Sequence, residues 1–423
     1  MVHNLCMTIL LILIIRIFYS IPTPGVNTDF LKLMAESNQA FSLMDMITGG
    51  GFSNLTVMAL NVTPYITASI IIQLLTNVFK KLHDLKHGMK DDQKQVERLT
   101  IALSVILAFI ESAAIAYGYG KKGVLISNTW YWVLLVSVTW TIGAAMAAIL
   151  GKRIQDKYKF NGISILLLLN IVSSYPSGAY ELYQTFMEGH TWTYMVVTAV
   201  LIFFIVLFLF GFTYIIQESE KVIKVNYSGK SSSIGGNKQV GSFPLKMCPG
   251  GVVPVIFAST IMTIPAMIAS AFTSSETLWI KILSSNAWFH LDDMLPTVGI
   301  FLYIILIFGF SYFYAYSSLN PYEIAESFQK DGGTISGIRP GKPTEEYLKK
   351  QMKGVIAIGA AALTFIAVIP IVLSGIFGLS KISFLGTSII ITVGVLSEIK
   401  KSIYADTKSK KYKPTKKTKG GIF

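Results

Sequence analysis

Charge is scarce in this sequence. Of 423 residues, 14% are charged and 52% are hydrophobic, and the mean hydropathy is +0.57. A soluble globular domain carries about 25% charged residues, so this chain reads as a membrane protein. Cysteine is nearly absent: Cys6 and Cys248 lie far apart at the edges of apolar runs, which excludes a disulfide framework. Of five histidines, only His83 and His87 share a helical spacing. Both sit in a polar loop and read as solvated surface rather than metal ligands. HExxH, GxSxG, the Rossmann fingerprint and paired carboxylates inside apolar runs are all missing. These absences weigh against the catalytic readings and imply no cofactor.

What remains is a series of apolar runs of spanning length. About ten are legible, near residues 5–21, 57–79, 99–117, 131–150, 162–175, 194–216, 251–272, 297–317, 354–373 and 384–399. The first ends in the stiff turn Ile21-Pro22-Thr23-Pro24-Gly25 rather than a small-residue cleavage site, so it reads as a span and not a signal peptide. The net charge of +13 is uneven: alternate loops hold 30 of the 36 basic residues. By the positive-inside rule those loops and both termini face the cytoplasm. The basic tail, 401–423, reads as a solvated segment facing anionic lipid.

The second span is the most informative. The stretch 59–75 is apolar enough to read as a helix from Leu60 to Leu75, yet it carries Asn61, Thr63, Pro64, Thr67, Ser69 and Gln73. Polar groups at membrane depth face a partner helix or a wet cavity, so something polar passes close to it. Before it lies 41–56, half apolar, too short to cross, and broken by Gly49, Gly50 and Gly51. Two readings fit: a short helix tucked into the protein, or an interfacial helix on the outer surface. Within spans, Glu111 is the main acidic residue and Arg16 the main basic one.

Two polar loops are long. The first, 217–246, holds a Ser/Gly run over 228–236 that lacks Walker spacing and reads as flexible. In the second, 318–352, Asn320 and Pro321 open a short helix that Asp331-Gly332-Gly333 ends. Gly337-Ile338-Arg339-Pro340-Gly341 then forms a rigid protruding turn, and Pro343-Thr344-Glu345-Glu346 starts another helix. A structured loop tipped by one exposed arginine serves a partner.

Ordered motifs along nearly the whole chain resemble the SecY family, the large subunits of protein-conducting translocation channels. The resemblance rests on Arg16 with Ile21–Gly25, Thr48-Gly49-Gly50, the run from Pro64-Tyr65-Ile66 to Gln73-Leu74-Leu75, and Asn161-Gly162-Ile163-Ser164. It continues in Gly251-Val252-Val253-Pro254-Val255-Ile256-Phe257-Ala258-Ser259, Asn320-Pro321, Gly337–Thr344 and Gly386-Thr387-Ser388. It implies an all-α polytopic membrane protein with about ten helices in two inverted, pseudo-symmetric halves, 1–180 and 190–400, around a central pore. By the resemblance, Val62, Ile66, Ile163, Leu167, Ile256 and Ile391 form an aliphatic pore ring, which resists ions by dewetting. The segment 41–56, with Met46, Thr48, Gly49, Gly50 and Gly51, becomes a plug, which favours the tucked-in reading. Gln73, Glu111, Ser259 and Thr260 become a polar seam closed by hydrogen bonds across a lateral gate. Gly337, Arg339 and Lys342 dock the cytoplasmic partner.

The implied partners are SecE-type and SecG-type small subunits, a SecA-type motor ATPase or the ribosome, anionic lipids, and the translocating polypeptide with its signal sequence. The implied site is the bacterial plasma membrane. The chain departs from the family pattern in its short N-terminus, its Ser/Gly insert after Gln217-Glu218-Ser219-Glu220-Lys221, and its polar Asn61-Val62-Thr63. Both a housekeeping channel and an accessory channel for a few surface glycoproteins accommodate these departures. A solute transporter, which needs charged or carbonyl sites at the midplane, and an intramembrane enzyme fit less well.

Overall fold

A computed structural model describes residues 2–27, 54–127, 129–158, 161–227, 240–272, 277–283, 288, 295–377 and 385–411. In chain order the elements are α1 (Val2–Phe18), α2 (Thr63–Val78), α3 (Lys80–His87), α4 (Lys90–Lys121), α5 (Trp130–Tyr158), α6 (Gly162–Phe186) and α7 (Trp192–Glu218). Then follow β1 (Glu220–Tyr227), β2 (Val240–Lys246), α8 (Val253–Phe272), α9 (Leu278–Leu283), α10 (Val298–Ser318), α11 (Pro321–Lys330), β3 (Gly333–Ile335), α12 (Lys342–Phe377) and α13 (Leu385–Lys411). Among the described residues, six helices, α4 to α7, α10 and α12, are long and apolar enough to cross a membrane. The other four expected spans correspond to α1, α2, α8 and α13, which are shorter or more polar.

Several helix ends follow from local chemistry. The Asn161 side chain caps α6 by accepting from the Ser164 N–H, at 3.2 Å. Asn320 caps α11 by accepting from the Tyr322 N–H, also at 3.2 Å, with Pro321 in the first turn. The second span differs from the sequence reading. Its helix begins at Thr63, and residues 54–62 form turns and bends with a bridge at Thr56. Leu55 and Asn61 take left-handed backbone (φ 39° and 48°), which cannot continue a right-handed helix, and Pro64 is suited to a first turn.

This irregular stretch is pinned from both sides. The Val57 N–H donates to the Ile21 carbonyl (3.0 Å) and the Thr23 N–H to the Leu55 carbonyl (3.0 Å). Pro22 bridges Thr56, and Val26 bridges Leu125. The Trp140 indole N–H donates to the Thr23 hydroxyl at 2.8 Å in full burial. Close contacts here rest on bare backbone: a β-carbon on Gly143 of α5 would run into the Val57 carbonyl of this stretch, and, between α6 and α5, one on Gly162 into the carbonyl of Gly151. Close approach at small residues is how membrane helices gain dispersion energy without a hydrophobic drive.

The largest core draws buried side chains from α1, α2, α5, α6, α8, α10, α12 and α13, and so sits at the centre of the bundle. A second cluster joins Leu55, Ala59 and Leu60 to α4 and α5, with Met267 of α8. The loop 217–246 is not a flexible linker throughout. Its described parts, β1 and β2, pair antiparallel, and β3 from the second loop pairs antiparallel with β1, giving the order β2-β1-β3. The apolar face of this sheet, Ile223, Val225 and Ile335, packs on Ala325 and Phe328 of α11 and Leu348 of α12.

Gly143→Ala should destabilise the fold by about 1–3 kcal/mol, the usual cost of overpacking. The check is a lower half-unfolding temperature in detergent than wild type; an unchanged value would refute the close approach to Val57.

Candidate functional site

All six expected ring residues join the central core, though not equally. Val62 caps the start of α2 and is fully buried, while Ile66, Leu167 and Ile391 are buried at 8% exposure or less. Ile163 and Ile256 are half-buried and pack on the same cluster. Ile163 also leans on α5, since a β-carbon on Gly151 would lie 2.5 Å from its Cδ1. Its side chain therefore fills part of the α5–α6 contact.

Beside the ring lies a polar layer that the sequence reading largely missed. Tyr19, at the end of α1, faces Asn170 of α6 and Asn61. The Tyr19 hydroxyl, both Asn61 side-chain atoms, Asn170 Nδ2 and the Thr63 hydroxyl are buried, and none makes a hydrogen bond of normal geometry among the described residues. An unpaired buried polar group costs about 1–3 kcal/mol, so each member of this layer calls for a partner such as ordered water. Asn170, alone in the run Leu166–Val172, was the available signal.

Two seams flank this centre. On one side α6 meets α13: the Tyr175 hydroxyl and Thr392 Oγ1 lie 2.8 Å apart, and Asn161 Nδ2 donates to Glu398 Oε2 at 3.3 Å. On the other side α8 lies against α2 and α4. Hydrogen bonds from Gln73, Glu111, Ser259 and Thr260 were expected across it. Among the described residues none of the four makes one. Gln73 donates to Ser69 one turn back (3.4 Å), and the Ser259 hydroxyl to the Ile256 carbonyl (2.9 Å). Short hydroxyls in helices satisfy themselves on the preceding turn in this way. Glu111 is buried with Oε2 unpartnered, and Thr260 is buried. The bond that does cross is Ser317 Oγ to Asn77 Oδ1, 3.3 Å and exposed, between α10 and α2. Apolar packing does the rest, with Met267 of α8 set among Ala108, Ile115 and Ala116 of α4.

A cavity of about 260 Å³ lies beside Gln73, lined by polar groups that include Tyr65, Ser69, Thr76, Lys86 and Glu97. Burial holds the Lys86 ammonium below the ordinary lysine range. Glu97 is tied to α5 by Lys152, whose Nζ lies 2.5 Å from its carboxylate. This polar space agrees with the polar face read along the second span.

The tip of the second loop is built to protrude. The Ile338 N–H donates to the Ile335 carbonyl (3.0 Å) around Gly337, whose φ of +81° needs glycine at that turn position. Ile338 turns back onto the sheet core. On the far side the Thr344 hydroxyl donates to the Arg339 carbonyl at 2.8 Å. Arg339 and Lys342 are left exposed between these two anchors. The residues proposed as a plug, Met46, Thr48, Gly49, Gly50 and Gly51, lie outside the described residues.

With this geometry in hand, the chain can be set beside known proteins. The SecY family pattern matches residues 56–399. The protein translocase subunit SecY of Bacillus subtilis (strain 168) is 32% identical, covering 97% of this chain and 95% of that protein. A solved structure described as a protein conducting channel superposes with a TM-score of 0.65 at 16% identity, covering 97% of this chain and 94% of the other. Sec61 from a canine ribosome–channel complex of the endoplasmic reticulum superposes at 0.61, also at 16% identity, over 97% and 94%. At that identity the structures speak to the fold, while the family match and the Bacillus relative speak to descent. The chain belongs to the SecY family of protein translocase subunits.

Proposed function

We propose that the centre of the bundle is the path of an unfolded polypeptide and that Val62, Ile66, Leu167, Ile256 and Ile391, with part of Ile163, form its constriction. The observation that carries this reading is the convergence of aliphatic side chains from four separate helices, α2, α6, α8 and α13, on one cluster. Branched aliphatic groups close around a chain without hydrogen-bonding it, and an empty apolar neck excludes ions by dewetting. The polar layer of Tyr19, Asn61 and Asn170 then meets the chain just beside the neck.

The α8 seam against α2 and α4 is the lateral exit for signal sequences and membrane spans. Its weak polar closure supports this, since intramembrane polar contacts average about 0.6 kcal/mol. The α6–α13 seam, bonded at two levels, is the one that stays joined. In this reading 1–180 and 190–400 are the two halves, 41–56 is the plug, and the termini face the cytoplasm of a bacterial plasma membrane. The exposed Arg339 tip, with Gly337 and Lys342, meets a ribosome or a SecA-type motor, and SecE-type and SecG-type subunits brace the bundle. The chain itself supplies no catalytic group. A solute transporter is disfavoured because the six residues of the neck are all aliphatic and uncharged.

Photo-crosslinkers at positions 66 and 256 should both capture a secretory chain arrested halfway through export. Failure at both positions, in folded protein, would overturn the path. Ile66→Asn and Ile256→Asn should each raise ion conductance in planar bilayers and relax the export of signal-defective clients. Wild-type conductance and selectivity in both would remove the ring.

A further inference from the structure

The hairpin of the first loop and the tip of the second are joined by a contact that neither the family match nor the ring explains. β3 covers one end of β1, with Val225 opposite Ile335, Asn226 opposite Thr334 and Tyr227 opposite Gly333. Two side chains reinforce the pairing. Asn226 Nδ2 donates to the Ser336 hydroxyl at 3.0 Å, and the Thr334 hydroxyl donates to the Asn226 carbonyl at 3.3 Å. Ser336 directly precedes Gly337, so the hydrogen bond from Asn226 lands at the root of the exposed turn.

The Tyr227 ring adds a steric fit. A β-carbon on Gly333 would stand 2.9 Å from its Cε1, and one on Gly241 would stand 2.5 Å from its Cε2. The ring therefore lies over glycines in both neighbouring strands. An aromatic laid across a strand glycine restores the packing that the missing side chain forfeits and pins register. The same ring belongs to the apolar cluster that holds Ile338. The tip thus has three roots: Thr344 at the start of α12, Ile338 in the cluster, and β3 on β1. Two of the three depend on the other loop.

We propose that Tyr227 and Asn226 are positioning residues for the Arg339 tip, so that β1 acts as a fixed base from which that tip is presented. Neither residue needs to touch the partner. This rests on the reading of Arg339 as a docking contact, but the positioning itself is measurable without a partner.

The test uses the full chain in lipid nanodiscs and two readouts: backbone hydrogen exchange over residues 334–341, and cosedimentation with purified ribosomes. Asn226→Ala, which leaves the apolar cluster intact, and Tyr227→Ala should each speed exchange at the tip at least ~10-fold and weaken cosedimentation. Helices α4, α5 and α12 should keep their exchange rates. Tyr227→Phe should behave as wild type. A disulfide between cysteines at the paired positions 226 and 334, placed in the Tyr227→Ala chain, should restore slow exchange and binding together. Unchanged tip exchange in both alanine variants, or a disulfide that restores neither readout, overturns the proposal. Arg339→Glu is the separating control, expected to abolish cosedimentation with tip exchange unaltered. If it binds normally, the docking reading fails, and the exchange data still decide whether Tyr227 and Asn226 hold the tip.

Discussion

The bundle depends on one stretch of irregular backbone, residues 54–62, held inside the protein. Backbone of this kind survives at membrane depth only where every amide is covered and paired. Here the Ala59, Asn61 and Thr63 N–H groups donate to the Thr56, Met58 and Leu60 carbonyls, and Val57 donates across to Ile21. Gly143 lets α5 close over the Val57 carbonyl. This arrangement sets where α2 begins, and so it sets the depth of Val62 and Ile66. A helix running continuously from Val57 would rotate and shift every side chain that follows.

The two seams show how one bundle can combine a lasting contact with a separable one. Tyr175–Thr392 and Asn161–Glu398 join α6 to α13 at two levels along their length. The opposite seam meets through small and flexible side chains, Ala108, Ala116 and Met267, with a long exposed bond at one end. Contacts of that kind re-form in more than one register at little cost, because methionine and alanine impose little shape on a neighbour.

What could be read from sequence was what is local. The caps at Asn161 and Asn320, the stop after Lys330 and the turn at Gly337 each follow from a few adjacent residues. The apolar runs located the helices, although α6 extends well past the expected 175 because Pro176 is accommodated within it. The sheet was not legible. β1 alternates only over Ile223–Tyr227, β2 contains Pro244, and β3 is three residues long, so its strands exist chiefly through one another. The hydrogen bonding at the α8 seam was misread for a related reason. Gln73, Ser259 and Thr260 are polar in the right places, but whether a hydroxyl bonds across a seam or back to its own helix is decided by three-dimensional packing. The family resemblance placed the ring, yet the lean of Ile163 onto Gly151 depends on how closely α5 and α6 approach.

Helix α7 has a mechanical consequence. It is apolar all round and almost wholly unburied, and its polar ties sit at one end, where Gln217 donates to the Ile390 carbonyl (2.9 Å) and Glu218 meets Lys401 (2.7 Å). Its 27 residues make a rod of about 40 Å, against a hydrocarbon layer of about 30 Å. Such a rod overhangs the hydrocarbon layer, and its tilt is held by its packing on α12 and α13. Its tied end passes through a single residue, Ser219, into β1. The hairpin that follows is therefore mounted on the end of a membrane rod, so any tilt of that rod is carried straight into the base of the sheet.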